Sequence, residues 1–173
     1  TIGWTDEFPK GWSAADSKMP DGGPREWDGW ALTTDGYWTN TKLDEGREAN
    51  VRSRDVFAVA DATRWTAGKP KEGQFAATLV SPEYEVKGGK DATINYVTTY
   101  QGAFRQTAEV LVSFDGAKPV RVRAYGADAD ANATERITMP TPEGATSAQV
   151  SFDYKGATGG FWAIDQVSVT TNG

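Results

Sequence analysis

The chain contains no cysteine and no histidine in 173 residues. Without histidine, Ser-His-Asp and Cys-His catalysis are excluded. A structural zinc site of thiolates and imidazoles is excluded with them. Without cysteine there are no disulfides, but a chain of this length can bury about 70% of its unfolded surface in one domain. A single unit spanning 1–173 therefore needs no covalent staple. Basic charge is also scarce: 18 Lys and Arg stand against 24 Asp and Glu, a formal net charge of −6. With no lysine or arginine cluster, no nucleic acid partner is expected. An anionic membrane surface is disfavoured by the same sign. Apolar runs extend only a few residues, so no membrane insertion is expected. Thr1 is not a natural start, which suggests a mature chain or a domain of a larger protein.

Period-two alternation dominates residues 75 to 170. QTAEVLVSFD, KPVRVRAYG and SAQVSFDYK each place apolar residues at every second position. DG at 115–116, PEG at 142–144, KGGK at 87–90 and KGATGG at 155–160 supply the turns. Short antiparallel strands at regular spacing predict an all-β fold, a sandwich or barrel. Val110, Val112, Phe114, Val150, Phe152, Ile164, Val167 and Val169 are the expected buried faces. The only helical signal is DATRWTAG at 61–68, a single turn capped by Asp61.

The first 65 residues hold six of the seven tryptophans among Gly, Pro, Asp and Asn. Only the opening TIGWTDEF and VFAVA at 56–60 look like strands there, and KMPDGGPREWDGW reads as a loop. Flat aromatic rings stack on sugar rings, and short polar side chains pair with hydroxyls. Trp30, Tyr37, Trp38 and Trp65, with Asp35 and Arg64, have that composition and form the expected ligand platform. The competing reading is that these tryptophans fill satellite cores beneath long loops. Trp4 and Trp12, beside the first strand, read as core.

Two carboxylates at glycosidase spacing, about 5–10 Å apart, are the remaining catalytic option without histidine. No acidic run on a single strand singles out such a pair. Calcium would take carboxylate and carbonyl oxygens. Asp165, inside the apolar run FWAIDQVSV, needs either solvent or a partner, and Asp6 and Glu7 in the opening strand are its expected companions.

The ends of the chain carry a resemblance. DEF followed by PKGW, and the closing GGFWAIDQVSV, are similar to the first and last strands of secreted jelly-roll modules of the cleaved-adhesin, choice-of-anchor J and MAM-like type. DGW (28–30), YW (37–38), VFAVADATRW (56–65), FAATLVSPEYEV (75–86) and LVSFDG (111–116) resemble the β-sandwich accessory domain joined to secreted actinobacterial calcineurin-like metallophosphoesterases. That resemblance implies a jelly-roll β-sandwich of two antiparallel sheets, secreted or at the cell surface. It also implies structural calcium on Asp6 or Glu7 and Asp165. MAM domains proper carry cysteines, which this chain lacks. No phosphoesterase metal-binding set is present, so any catalytic domain would adjoin this one.

The leading expectation is a non-catalytic module binding a glycan or cell-wall polysaccharide. The alternative is a structural or protein-interaction accessory domain, and the third reading is a small carboxylate glycosidase.

Overall fold

The computed structural model describes residues 3–41, 45–50, 53, 55–70 and 73–171. Alternating side chains bury one face of each strand, and two sheets close over the shared core. One sheet has the order β1 (Trp4–Thr5), β3 (Ala31–Thr34), β4 (Val56–Asp61), β11 (Phe161–Thr171), β6 (Asp91–Gln101), β9 (Asp130–Pro140). The other has the order β2 (Ser13–Ala15), β5 (Phe75–Glu85), β10 (Ser147–Gly156), β7 (Thr107–Phe114), β8 (Val120–Tyr125). Every pairing is antiparallel, and the chain crosses repeatedly between the sheets. This is a jelly-roll β-sandwich.

Val110, Val112, Val150, Phe152, Ile164 and Val169 are buried, while Phe114 and Val167 are partly buried at the margin. Trp162 occupies the centre, with ring centroids 5.6 Å from Trp30 and 5.8 Å from both Phe152 and Tyr125. Its indole donates to Thr98 Oγ1 at 2.8 Å.

The helical turn at 61–68 is α2 (Ala62–Ala67), and Asp61 caps it by accepting from the Arg64 N–H at 2.9 Å. A second short helix, α1 (Asp35–Thr39), follows β3, with Thr34 accepting from the Tyr37 N–H. Tyr37–Trp38 had no helical periodicity to announce it, because five residues cannot display one. The first strand is shorter than its alternation suggests: it ends at Thr5, so Asp6 and Glu7 lie beyond it.

A second core covers the outer face of the larger sheet. Trp162 and Ala60 point inward as cross-strand partners, so their neighbours Phe161 and Asp61 point outward. Both are nevertheless fully buried, because residues 35–41 and 45–50 fold over them. Trp38 meets Phe161 edge-on at 4.9 Å and Phe57 at 5.8 Å. Arg47, also fully buried, joins Asp61 through Nε at 3.0 Å and Glu45 through Nη1 at 2.6 Å.

Candidate functional site

The structure corrects the expected platform. Trp30, Trp38 and Trp65 are 1%, 0% and 2% exposed, so none can offer a ring face to a ligand. Trp30 lies between the sheets and donates to the Ala77 carbonyl at 3.2 Å. Trp38 donates to Asp61 Oδ2 at 2.8 Å, and Trp65 sits edge-on against Phe75 at 5.6 Å. The physical reason is area. Long connections with little regular structure must bury something of their own, and tryptophan offers the largest apolar surface per residue. Asp35 begins α1 and accepts from Asn50 Nδ2 at 2.9 Å. Arg64 lies on α2 with its Nε buried. Of the six residues, only Tyr37 keeps an exposed ring, stacked on Trp27 at 6.3 Å.

Nor does the sheet order bring the expected calcium ligands together. Thr5, Leu32, Ala58 and Ile164 lie in one cross-strand row. Three strand spacings, about 14 Å, therefore separate the end of β1 from Asp165's neighbour. Asp6 is engaged with Arg25 Nε at 3.4 Å. Among the described residues no three acidic side chains form a cluster suited to a metal ion.

Asp6 instead approaches a different carboxylate. Asp16 is half-buried against Gly29, where any Cβ would meet its carboxyl carbon at 2.5 Å. Its Oδ1 is buried without a hydrogen-bond partner. Burial, chiefly, with the nearby Asp28 and Asp6 charges, pushes the Asp16 carboxyl up to about 6, and the Trp30 N–H offsets this only in part. A carboxyl raised in the folded state stabilises the fold while protonated. That contribution is complete below about pH 4, the unfolded value, and is lost as pH rises through about 6. Asp16→Asn should therefore raise the melting temperature at pH 8 and make no difference near pH 4. Discounted for the solvent reaching this group, the gain is about 1 kcal/mol, or roughly 2–4 °C. Equal melting curves at pH 8 would remove this role for Asp16.

The two tryptophans read as core sit at the margin, with Trp12 packed against the main core. Trp4 and Trp12 are only partly buried, and Trp4 lies under the Arg25 guanidinium at 5.6 Å. Trp12 lines a cleft of about 200 Å³ at the edge of the sandwich. Its position comes from the turn Pro9–Trp12: the Trp12 N–H bonds the Pro9 carbonyl at 3.0 Å, and Gly11 takes φ +90° at the third place. A positive φ at that place is the glycine position of a type II turn. The turn carries the chain from the larger sheet to the smaller one and leaves Phe8 and Trp12 as the cleft's aromatic walls.

The cleft's floor is apolar. Leu32, Ala58 and Ile164 come from one registered row of the larger sheet, and Leu79 faces them from β5. The mouth is formed by Val56, more than half exposed, and by Asp165, Gln166 and Val167. There β11 carries a bulge between Asp165 and Ser168, with Gln166 at φ +54°. Asp55, beside Val56, is also left-handed at φ +56°. Lys69, Arg105 and Asp115 take the same left-handed conformation away from the cleft, so here it serves to shape the rim. An apolar floor, aromatic walls and a few polar groups at the rim are the makings of a small-molecule pocket. The glycine of PKGW is the local signal that could have located this turn, whereas nothing in the sequence announces the bulge that shapes the rim.

The sequence matches no family model and no curated protein. Solved structures do share the fold. The K1 cleaved-adhesin domain of Lys-gingipain from Porphyromonas gingivalis W83 aligns with TM-score 0.55 at 14% identity, over 96% of this chain and 94% of that one. The K3 cleaved-adhesin domain of the same protein aligns with TM-score 0.54 at 17% identity, over 94% and 92%. The carbohydrate-binding module TmCBM61, solved in complex with β-1,4-galactotriose, aligns with TM-score 0.51 at 10% identity, over 94% and 90%. The fold therefore defines a jelly-roll module of the architecture found in cleaved-adhesin domains and carbohydrate-binding modules.

Proposed function

We propose that this protein is a non-catalytic extracellular binding module that takes a carbohydrate in the Trp12 cleft. The observation that carries the reading is the cleft itself, where Phe8 and Trp12 wall an apolar floor beneath a polar rim. Sugar rings have apolar faces that stack on such walls and hydroxyl edges that pair with a rim like that of Asp165 and Gln166. Support comes from the shared fold with TmCBM61, a structure solved with a galactotriose. The volume suits one sugar ring better than a long oligosaccharide. Asp165 is the single carboxylate residue of the lining, whereas glycoside hydrolysis canonically needs two. That favours binding over turnover. In a larger secreted protein, the module would hold an adjoining catalytic domain near its polymer. The metallophosphoesterases that the sequence resembles are candidates for that neighbour.

The test is titration calorimetry against a panel of soluble plant and bacterial wall polysaccharides. Binding is expected for at least one, and Trp12→Ala should weaken it about tenfold or more, the effect of losing one stacked ring. Melting should fall by less than on loss of a fully buried tryptophan, since Trp12 packs against the core but is only partly buried. Binding is compared at a temperature where both proteins are folded. Binding that survives Trp12→Ala unaltered would move the site elsewhere. A flat response across the panel would favour the accessory-domain reading, in which these aromatics meet a protein neighbour.

A further inference from the structure

Among the described residues, the longest strand edge of the larger sheet with no further strand beside it is the one opposite β1. β9 spans eleven residues, Asp130–Pro140, and pairs with β6 in one unbroken register. Among the described residues β6 is its only strand neighbour. Which of its backbone groups face outward follows from alternation. The Gly102 N–H bonds the Ala129 carbonyl at 2.9 Å, and the Thr141 N–H bonds the Lys90 carbonyl at 3.0 Å. Both pairs continue the β6–β9 register, so odd-numbered residues of β9 bond β6 and even-numbered ones point their N–H and C=O to the open edge. Pro140 fits this assignment, because its missing N–H falls on the side where no ladder needs it.

We propose that β9 pairs antiparallel with β9 of a second copy of this chain, joining two larger sheets across a two-fold axis. The occupant follows from charge and size. Pairing centred on Ala133 sets Asp130 opposite Arg136 of the second copy, and the reverse, with Asn132 opposite Thr134. All four are even-numbered residues, which is the parity an edge ladder requires. All four side chains lie exposed on the outer face of the sheet, with the Asn132 Nδ2 donating to the Ala49 carbonyl at 2.6 Å beside it. Ala133 then meets its own counterpart at a non-hydrogen-bonded position, where strands approach most closely and a small side chain fits. Opposite charges facing each other across strands stabilise the pair, and like charges oppose it. The other sheet's edge shows the contrast: β8 carries Arg121 and Arg123, so a second copy there would bring arginines together. Glu135, on the inner face, is held by Arg123 at 3.2 Å and keeps β9 in place without blocking its edge. This inference does not depend on the carbohydrate reading, although a dimer would present two clefts.

Sedimentation equilibrium over a concentration series reaching the millimolar range tests it. The wild-type chain should dimerise, and the dimer should weaken with salt. Asp130→Arg and Arg136→Asp should each weaken association at least about tenfold. An equimolar mixture of the two should associate again, because each supplies the charge that the other lacks. Asp130 also accepts from the Gly102 N–H at 3.1 Å, so Asp130→Arg is checked for unchanged melting. Thr134→Pro, which removes only an outward N–H, is the second route and should also give monomer. A wild-type chain that stays monomeric throughout overturns the proposal. So do charge reversals that associate as the wild type does, or a mixture that fails to re-form dimer when both variants are folded.

Discussion

Asp61→Ala is expected to destabilise the protein by about 3–5 kcal/mol, the cost of stranding one member of a buried ion pair. At roughly 2–4 °C per kcal/mol for a chain of this size, melting should fall by about 6–20 °C. Asp61 lies outside the main core, but three donors converge on it: Trp38 Nε1 at 2.8 Å, Arg47 Nε at 3.0 Å and the Arg64 N–H at 2.9 Å. Removing the carboxylate leaves a fully buried guanidinium with Glu45 as its remaining ion-pair partner. The Arg47 Nη2 already lacks a hydrogen-bond partner, and the guanidinium lies 5.5 Å from the Phe161 ring. Thermal melts of Asp61→Ala, Arg47→Met and the double variant apportion the loss. The double variant should recover part of it, because an apolar pair leaves no buried charge behind. A loss below about 1 kcal/mol for Asp61→Ala would show that residues 35–41 and 45–50 are held by their aromatic contacts alone.

The other large effect is expected at Trp162. Deleting a fully buried tryptophan side chain costs about 3–5 kcal/mol. Here it would also leave Thr98 Oγ1 without its donor, although that hydroxyl keeps its own bond to the Ala163 carbonyl at 3.1 Å. Trp162 bridges the sheets through Phe152 and Tyr125 on one side and Tyr100 on the other. Its loss should lower the urea midpoint with little change in slope, since the same surface still unfolds. Trp12→Ala, which removes a ring only partly buried against the core, should lower that midpoint by clearly less. The two tryptophans thus separate the residues that hold the fold from those placed to meet a ligand. Equal destabilisation by both substitutions would contradict that division.

Much of the fold was legible because strands repeat every two residues. The alternation in QTAEVLVSFD and SAQVSFDYK identifies inward faces without reference to any partner, and Val110, Val112, Val150 and Phe152 are buried accordingly. Asp61 was legible as a cap because a cap is a local pattern. The candidate site was far less legible. Trp30 and Trp12 are the same residue type in similar glycine-bearing contexts, yet one lies between the sheets and the other lines a cleft. Nothing within a few residues of either says which, because exposure depends on what the other sheet brings across. Asp165 illustrates the same limit. Its apolar neighbours marked it as unusual, but the bulge that follows it depends on its pairing with β6.

The sequence by itself determined the class of protein: a cysteine-free and histidine-free all-β chain whose acidic charge and missing catalytic residues point away from nucleic acid and from triad chemistry. Those properties are sums over composition or repeats along the chain, so no folding is needed to evaluate them. Only the tertiary structure decided which aromatics face outward, which acids converge and which strand is left as an open edge. Each of those is a relation between residues tens of positions apart. It is fixed by how two sheets share one core, and that arrangement exists only once the chain has closed.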